Sequence, residues 1–584
     1  MIKKVYVISK THLDIGFTDL AENVVNTYIY KYLPNVVKTC NELKDTDTPY
    51  TWTVSPWVLT EALKKDDGTL EKAIKDGLIS WHSMPFTPFS ESMSPELLEY
   101  ALSISENLDK RFGKKTTAVK FSDVPGTSRA LIKPLCKHGI KFIHMGVNPA
   151  FKVKNIPPLF RWRNGEDEIV VAYNMAYGTS LDFDDFAVYI DMRGDNTQGL
   201  PKEVVIELYR KLREKYPDAE VSFSNMTEVA EKIVALKDTF PVVEDEIGDM
   251  WSHNISTDPM KVSLYKELLR HIEKNGINGD ITNNLMLIPE HTWGCNTKAY
   301  FSNYVDYSVA DFESTKNCPS RKFVERSWEE KREYIVEAQK ALGTNFVYDV
   351  KEPDLDGFNE IPVFETDFEF SWQLYDSQDY KPRINARVES LQESKKHEKF
   401  DPLLYMSVVL GNCKYNLPKY QGGIYVPNAV AAYQKGDVKV IKYEFEENLK
   451  KEYGLPYLYA IIDGDMVEFR WFGMKPNRLP QSYWVKFKGF EENWEIRKIG
   501  QWFDVDARSN PLFMGSDYGV RNSEVEIENV DSLLVAPYGR RLLDVDFDDK
   551  KQDLYFNIYN NIWGCNHPMW YSDDAKFRFR IKKR

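Results

Sequence analysis

Cysteine is sparse in this chain and never clustered. Cys40, Cys136, Cys295, Cys318, Cys413 and Cys565 are all there are in 584 residues. No two form a Cys-x-x-Cys pair, which argues against a zinc ribbon and against a dense disulfide framework. No apolar run reaches the roughly 18 residues of a membrane span, so no membrane association is expected. A long Lys/Arg-rich segment is also missing; Lys114-Lys115 and the tail Lys582–Arg584 come nearest. With 76 basic against 89 acidic residues the net charge is −13, and nucleic acid is not an expected partner. The start, Met1-Ile-Lys-Lys-Val-Tyr-Val-Ile-Ser-Lys10, lacks the apolar core of a signal peptide and reads as a strand from Lys4 to Ser9. A cytoplasmic location is expected, although a chain already trimmed of its signal would read the same way.

Core material is plentiful. Hydrophobic residues at 42% and charged residues at 28% exclude a disordered or collagen-like chain. At about 150 residues per domain, the length amounts to roughly four domains' worth of chain. The aromatic content, 14 Trp, 34 Tyr and 32 Phe, suits large β-rich domains and equally clefts that stack on sugar rings.

Three textures follow one another. Over residues 1–255, short apolar runs (Val5–Ile8, Tyr50–Val54, Ile79–His82, Ala118–Phe121, Lys141–Met145, Glu168–Tyr173, Ala219–Phe223) alternate with helical patterns such as Asn23–Glu42. That alternation predicts an α/β barrel, distorted but with parallel strands, whose ligands sit beyond the C-terminal strand ends. Residues 256–345 read as a helical bundle. Asp258-Pro259 starts one helix with an N-cap and a first-turn proline, a second is predicted over Ala299–Glu313, and a third over Lys322–Leu342 stops at Gly343. Residues 346–584 carry short strands between Gly, Pro, Asn and Asp turns, from Leu403–Leu410 to Lys576–Ile581, and predict a β-sandwich. The charged stretch Gln392–Lys399 reads as a linker. A four-residue text, Trp293-Gly-Cys-Asn296, recurs at Trp563–Asn566 without making a repeat domain.

Four segments could carry chemistry. In Thr11-His12-Leu13-Asp14-Ile15-Gly16, directly after the opening strand, alternate residues of an extended backbone share one side. His12 and Asp14 could thus supply two ligands of a divalent metal, or simply hydrogen-bond at a rim. Asp123, in Phe121-Ser-Asp123-Val-Pro-Gly126, ends another apolar run, where it could face a ligand or organise the turn. Ile288-Pro-Glu290-His291-Thr-Trp293 crowds a carboxylate, an imidazole and an indole into one loop, in a chain with only nine histidines. The stretch from Glu246 through Asp249, Trp251 and His253 to Asp258 leaves Glu246 and Asp249 as unexplained carboxylates beside an indole. Trp57, Trp81, Trp251 and Trp293 are stacking candidates for a pyranose, with core packing the alternative for each.

In this order the segments resemble glycoside hydrolase family 38, the retaining zinc-dependent α-mannosidases, and more closely a divergent branch of that superfamily. The motif His-x-Asp-x-Gly-aromatic appears as His12-Leu-Asp14-Ile-Gly16-Phe17, and Asp-x-x-Gly as Asp123-Val-Pro-Gly126. A Trp-then-Ser-then-Pro lead-in to the bundle appears between Trp251 and Pro259, and a late histidine as His291. The resemblance implies one zinc ion held by His12, Asp14, Asp123 and His291, with Asp123 also the nucleophile. It implies a second carboxylate as acid/base. The family's slot for that group falls on Gly248, so Asp249 is the first choice and Glu246 the second. Trp81, His82, Glu91, Trp251, His253, Glu290 and Trp293 are expected to line the substrate cleft. Phe17 replaces the family's usual Trp, and Glu290-His291 replaces a paired His.

The expected function is a metal-dependent retaining glycoside hydrolase on α-mannosides or related α-glycosides. Two alternatives stay open: a metal-dependent carbohydrate deacetylase or amidohydrolase, in which the nucleophile is a metal-activated water, and a catalytically decayed carbohydrate-binding protein. The sugar, the linkage, the metal's identity and the oligomeric state, a homo-oligomer included, are not legible.

Overall fold

The computed structural model describes residues 1–123, 127–148, 156–174, 176–248, 250–300, 308–343, 348–376, 378–381, 421–490, 493–505, 514–537, 539–540, 542–543, 553–562 and 565–584. The chain divides into two compact units. One comprises Met1–Pro88, Leu98–Gly248 and Glu290–Thr292; the other comprises Phe89–Leu97, Asp249–Pro289 and Trp293–Arg584.

The first unit is built on β1 (Lys4–His12), buried along nearly its whole length. A strand covered on both faces shows an unbroken apolar run instead of alternation, as Val5-Tyr-Val-Ile8 does. Beside it lie β2 (Trp52–Val54), β3 (Ile79–Trp81), β8 (Thr179–Asp182), β9 (Phe186–Asp195) and β10 (Glu220–Phe223), in the order β3-β2-β1-β9-β8 with β10 also on β1. A second sheet contains β4 (Ala118–Asp123), β5 (Phe142–Val147), β6 (Leu159–Asn164), β7 (Asp167–Asn174) and β11 (Val242–Val243), in the order β11-β6-β7-β5-β4. All the expected strands up to Phe223 are present. Parallel pairing dominates, with helices between the strands, but among the described residues the pairings make two sheets and not one closed barrel. The two antiparallel exceptions, β6–β7 and β8–β9, have a short-loop cause. Gly165 at φ +61° helps turn the chain back within two residues, and so tight a connection joins only antiparallel neighbours.

The Asn23–Glu42 helix is one continuous run with a widened middle: α-helix Ala21–Thr27, π-turn Tyr28–Tyr32 and α-helix Leu33–Leu43. Pro34, which has no N–H to donate, sits just past that wider turn.

The second unit holds both the helical region and the antiparallel sheets. Its helix Pro259–Asn275 starts as expected, with the Asp258 side chain accepting from Lys261 N at 3.2 Å, and it buries Val262, Tyr265, Leu268, Leu269 and Ile272. Helix Pro319–Leu342 ends on Gly343 at φ +64°. In place of the helix expected over Ala299–Glu313 there are two short ones, Thr297–Tyr300 and Val309–Ser314, separated by residues outside those described. The C-terminal strands form a ten-stranded and a six-stranded sheet with antiparallel pairing. The sheets meet face to face through rings, Trp471 against Tyr483 at 5.1 Å and Phe370 against Phe469 at 6.0 Å between centroids. The strand expected at Leu403–Leu410 and the linker Gln392–Lys399 lie outside the described residues. The two Trp-Gly-Cys-Asn texts adjoin one another: Thr297 N donates to Cys565 O at 2.9 Å, and the Trp293 and His567 rings lie 5.3 Å apart.

Asp258 anchors this unit as well as capping its helix. Arg332 grips it with two hydrogen bonds, Nε to Oδ2 at 2.8 Å and a terminal nitrogen to Oδ1 at 2.9 Å. Burial opposes the charge on Asp258, but Arg332 and Lys261 outweigh it and hold the carboxyl below its ordinary range. Arg332→Met would strand a buried carboxylate, and a loss of about 3 kcal/mol in urea unfolding is expected, at the low end for broken buried pairs because Arg332 is partly exposed. A loss below about 1 kcal/mol would mean that solvent screens the pair.

Candidate metal centre

The C-terminal ends of β1 and β4 bring His12 and Asp123 together. Asp14 follows β1 in a loop that needs left-handed backbone, Gly16 at φ +120° and Phe17 at φ +63°. The loop is held from β9's end by Asn196. Its Oδ1 accepts from Asp14 N at 3.0 Å, its Nδ2 donates to Gly16 O at 2.9 Å, and its N donates to His12 O at 3.0 Å. His291 arrives on the three-residue piece Glu290–Thr292, which runs beside Thr87-Pro88: Pro88 bridges Glu290, and His291 N donates to Thr87 O at 3.2 Å.

These four side chains converge. Each offers one donor atom, and all four atoms lie within 4.8 Å of one another. The Nε2 atoms of His12 and His291 are 3.2 Å apart. Asp14 Oδ1 lies 3.3 Å from the first and 3.0 Å from the second; Asp123 Oδ2 lies 3.7 and 3.6 Å from them. Ligands about 2.0–2.1 Å from a tetrahedral ion stand about 3.3 Å from each other, so the four donor atoms are spaced closely enough that they could share one ion.

The surroundings turn the donor atoms inward. His12 Nδ1 meets Ser122 Oγ at 2.7 Å, which leaves Nε2 for the cluster. His291 Nδ1 faces Thr87 O at 3.1 Å and Glu290 Oε1 at 2.9 Å, leaving its Nε2 likewise. Asp123 Oδ1 accepts from Asn148 Nδ2 at 2.8 Å and from the Tyr177 hydroxyl, so Oδ2 is the free atom. Thr292 Oγ1 donates to Asp14 Oδ1 at 3.0 Å, while Asp14 Oδ2 is buried with no hydrogen-bond partner. An orphaned buried carboxylate oxygen beside two inward-facing imidazoles fits a divalent cation. Two nitrogens and two carboxylate oxygens suit zinc, among other such ions.

The charges say the same. Burial works against the His12 imidazolium, yet the carboxylates of Asp14 and Asp123 raise it to about 9. His291 is pushed well above its ordinary value, burial again opposing and Glu290 and Asp14 prevailing. Against the pull of burial, the two rings hold the Asp14 and Asp123 carboxyls low. Asp195, at the end of β9 and opposite His12 in the ladder, is raised to about 6 by burial and by the charge of Asp14.

Of the other expected site residues, Glu290 adjoins the cluster, and each of the rest has surroundings of its own. Trp81 is buried, with its indole N–H on Asp109 Oδ1 at 2.9 Å, which makes it a core residue. Trp57 is also buried, edge-on to Phe86. His82 lies inside the first unit, and burial with nearby lysines pushes it well below its ordinary value. Glu290 stands behind His291, on the ring nitrogen turned away from the cluster. Glu246 spends both oxygens on a turn, accepting from Ser128 Oγ at 2.9 Å and Arg129 N at 2.8 Å. Three more belong to the second unit. Glu91 is buried and pairs with Lys498 Nζ at 2.5 Å and Gly515 N at 2.9 Å. His253 is fully buried. Trp293 packs against Phe89 under the Lys261 ammonium. Asp249 and the side chain of Trp251 lie outside the described residues. Asn148, Tyr177, Asp195, Asn196 and Ser122 surround the cluster without having been singled out from sequence. The one available signal was the apolar run Phe186–Ile190 ending in Arg-Gly-Asp-Asn196.

A family model described as a domain of unknown function, DUF5054, matches residues 255–360. No curated protein matches the chain. Among solved structures, an α-mannosidase from Enterococcus faecalis V583 is similar over 100% of this chain and 87% of its own, at 11% identity and a TM-score of 0.56. A glycosyl hydrolase family 38 protein from Enterococcus faecalis is similar over 100% and 86%, at 10% identity and a TM-score of 0.54. The fold therefore resembles that of family 38 glycoside hydrolases. No described helix is long and apolar enough to cross a membrane.

Only a neutral imidazole coordinates a metal, so zinc binding at neutral pH must expel protons from His12 and His291, and affinity should rise as pH climbs toward 9. Calorimetric titration of the metal-free chain with zinc in two buffers of different ionisation enthalpy should show a net release of one to two protons per ion, as an order-of-magnitude expectation. Heats independent of buffer would contradict the assigned charges. Without metal, His12 contributes stability fully below about 6.5 and loses it as pH rises to about 9. Asp14 and Asp123, both lowered, contribute above the ordinary carboxylate range and lose that contribution in acid.

Proposed function

We propose that this chain is a metal-dependent retaining glycoside hydrolase acting on α-mannosides or related α-glycosides. The observation that carries the reading is the buried two-His, two-Asp cluster at the C-terminal ends of β1 and β4, within a fold similar to family 38. His12, Asp14, Asp123 and His291 would hold the ion, zinc being the best match to the donor set. When bound, the ion would supply Lewis-acid attraction for two neighbouring sugar hydroxyls and so fix the ring's pucker. Asp123 is the nucleophile. It sits at φ +67°, a conformation that a non-glycine side chain adopts only under constraint, and Asn148 and Tyr177 hold its Oδ1. Its carboxylate attacks the anomeric carbon as the glycosidic C–O bond breaks, giving a glycosyl ester; a carboxylic acid protonates the departing oxygen and then deprotonates the water that cleaves the ester.

Three residues compete for the acid/base role. Asp249 remains the choice from the family pattern. Glu246 is disfavoured by its two hydrogen bonds to the Ser128–Arg129 turn. Asp195 joins them because the end of β9 places it opposite His12. The carbohydrate partner belongs to this same reading.

The test is a panel of aryl α-glycosides on the zinc-loaded chain, with acetate release from acetylated sugars followed in parallel. Asp123→Asn should nearly abolish glycoside turnover while metal content falls only in part. The acid/base variant, among Asp249→Asn, Glu246→Gln and Asp195→Asn, should lose about 10²–10⁴-fold on poor leaving groups and little on activated ones. Acetate release without glycoside cleavage would favour a deacetylase, and neither activity a binding protein. Full activity in Asp123→Asn would sink the proposal.

A further inference from the structure

We propose that Tyr177 is a positioning residue for the second half of the reaction, its phenol O–H stabilising the Asp123 carboxylate as that group leaves the sugar. The inference rests on the glycosidase reading above and assigns a step within it. Tyr177 lies between β7, which ends at Asn174, and β8, which starts at Thr179. Its backbone is pressed onto the neighbouring strands. A Cβ on Gly146 of β5 would stand 2.6 Å from the carbonyl oxygens of both Ala176 and Tyr177, and 2.7 Å from Tyr177 Cα. A Cβ on Gly178 would stand 2.5 Å from Ile190 O of β9. So close an approach of backbones needs glycine at both places. Asn174 Nδ2 also donates to Ala176 O and, at 2.7 Å, to Gly178 O. Tyr177 is thus fixed by β5, by β9 and by the end of β7.

From that seat the side chain reaches both strand ends of the cluster. Its ring lies 4.8 Å from the His12 ring, centroid to centroid, and its hydroxyl donates to Asp123 Oδ1. Asn148 Nδ2 donates to the same oxygen at 2.8 Å and, at 3.4 Å, to the Tyr177 hydroxyl. With Asn148 still holding Oδ1, loss of the phenol O–H leaves the carboxylate turned as before and takes away one hydrogen bond. That bond is strongest while the carboxylate carries its charge. Attack on the anomeric carbon turns Asp123 into an ester and discharges it, so the bond weakens. When water cleaves the ester, the bond between Asp123 and the anomeric carbon breaks, its electron pair returns to the carboxylate, and the hydrogen bond strengthens. Tyr177 therefore favours cleavage of the ester over its formation.

The test uses the full-length zinc-loaded chain, an aryl α-glycoside with a good leaving group, and Tyr177→Phe, which keeps the ring. Ester cleavage limits turnover of such a substrate, so kcat should fall about 10- to 100-fold, the size of one hydrogen bond to a charged group. KM should fall with it and kcat/KM should change little, because formation of the ester is untouched. The aryl alcohol should appear in a burst stoichiometric with the chain, and intact-protein mass spectrometry should find the glycosyl ester. Zinc content should match that of the unaltered chain. Gly146→Ala, which pushes the Tyr177 backbone aside and keeps its hydroxyl, should give the same pattern, and it decides the matter if Tyr177→Phe does not fold. An unchanged kcat in both variants, a fall in kcat/KM at constant KM, or a loss of zinc would overturn the assignment and leave the glycosidase reading standing. An unaltered chain that cleaves no glycoside would end that reading and this step with it.

Discussion

Two carboxylates and two imidazoles occupy one buried volume at the ends of β1 and β4, and the first unit is organised around keeping them there. Asp14 and Asp123 repel each other, and burial raises the cost of both charges. Positive charge at their centre, whether from protonated rings or from a metal ion, is what makes the arrangement tenable. A metal does it better, because it satisfies Asp14 Oδ2 and lets the two Nε2 atoms, 3.2 Å apart, present lone pairs to one centre. The neighbours then read as fixtures. Ser122 and Thr87 set the ring orientations, Asn196 shapes the loop that carries Asp14, and Asn148 and Tyr177 leave only one oxygen of Asp123 free.

Buried carboxylates near and far from the cluster have different tasks. Glu290 supports His291 from behind, a common use of a carboxylate next to a metal-ligating imidazole. Glu91 has a different task, anchoring Lys498 and the backbone of Gly515 inside the second unit. Aromatic residues divide likewise: Trp81 and Trp293 each have an indole N–H already engaged and a ring packed among core neighbours. A sugar-binding platform needs an exposed ring face, and neither of these provides one.

Similarity at 10–11% identity speaks for the fold and not for the reaction. The chemistry rests on the donor set and its geometry. Two imidazole nitrogens and two carboxylates within 4.8 Å of one another could hold a divalent ion, and the second oxygen of Asp123 is held in place by Asn148 and Tyr177.

Much of this was legible along the chain. Buried parallel strands show as short apolar runs, so β1, β2, β3, β4, β5, β7 and β10 could be read directly, as could the Asp258 cap and the Gly343 stop. His12, Asp14 and Asp123 were legible because strand ends point side chains at ligands, and His291 because a family resemblance supplied its order. Illegible were β9, whose apolar run dissolves into Asp, Arg and Gly, and with it Asp195 and Asn196. The sheet division was hidden too, since pairing is a non-local choice that apolar runs do not encode. Individual roles were the least accessible: whether a buried Glu supports a ring, caps a turn or meets a sugar depends on what stands within 3 Å of it, and residues hundreds of positions apart decide that. Sequence by itself determined the elements and the types of ligand; tertiary structure alone decided which of those polar groups face one another, because only folding brings distant strand ends to a common point.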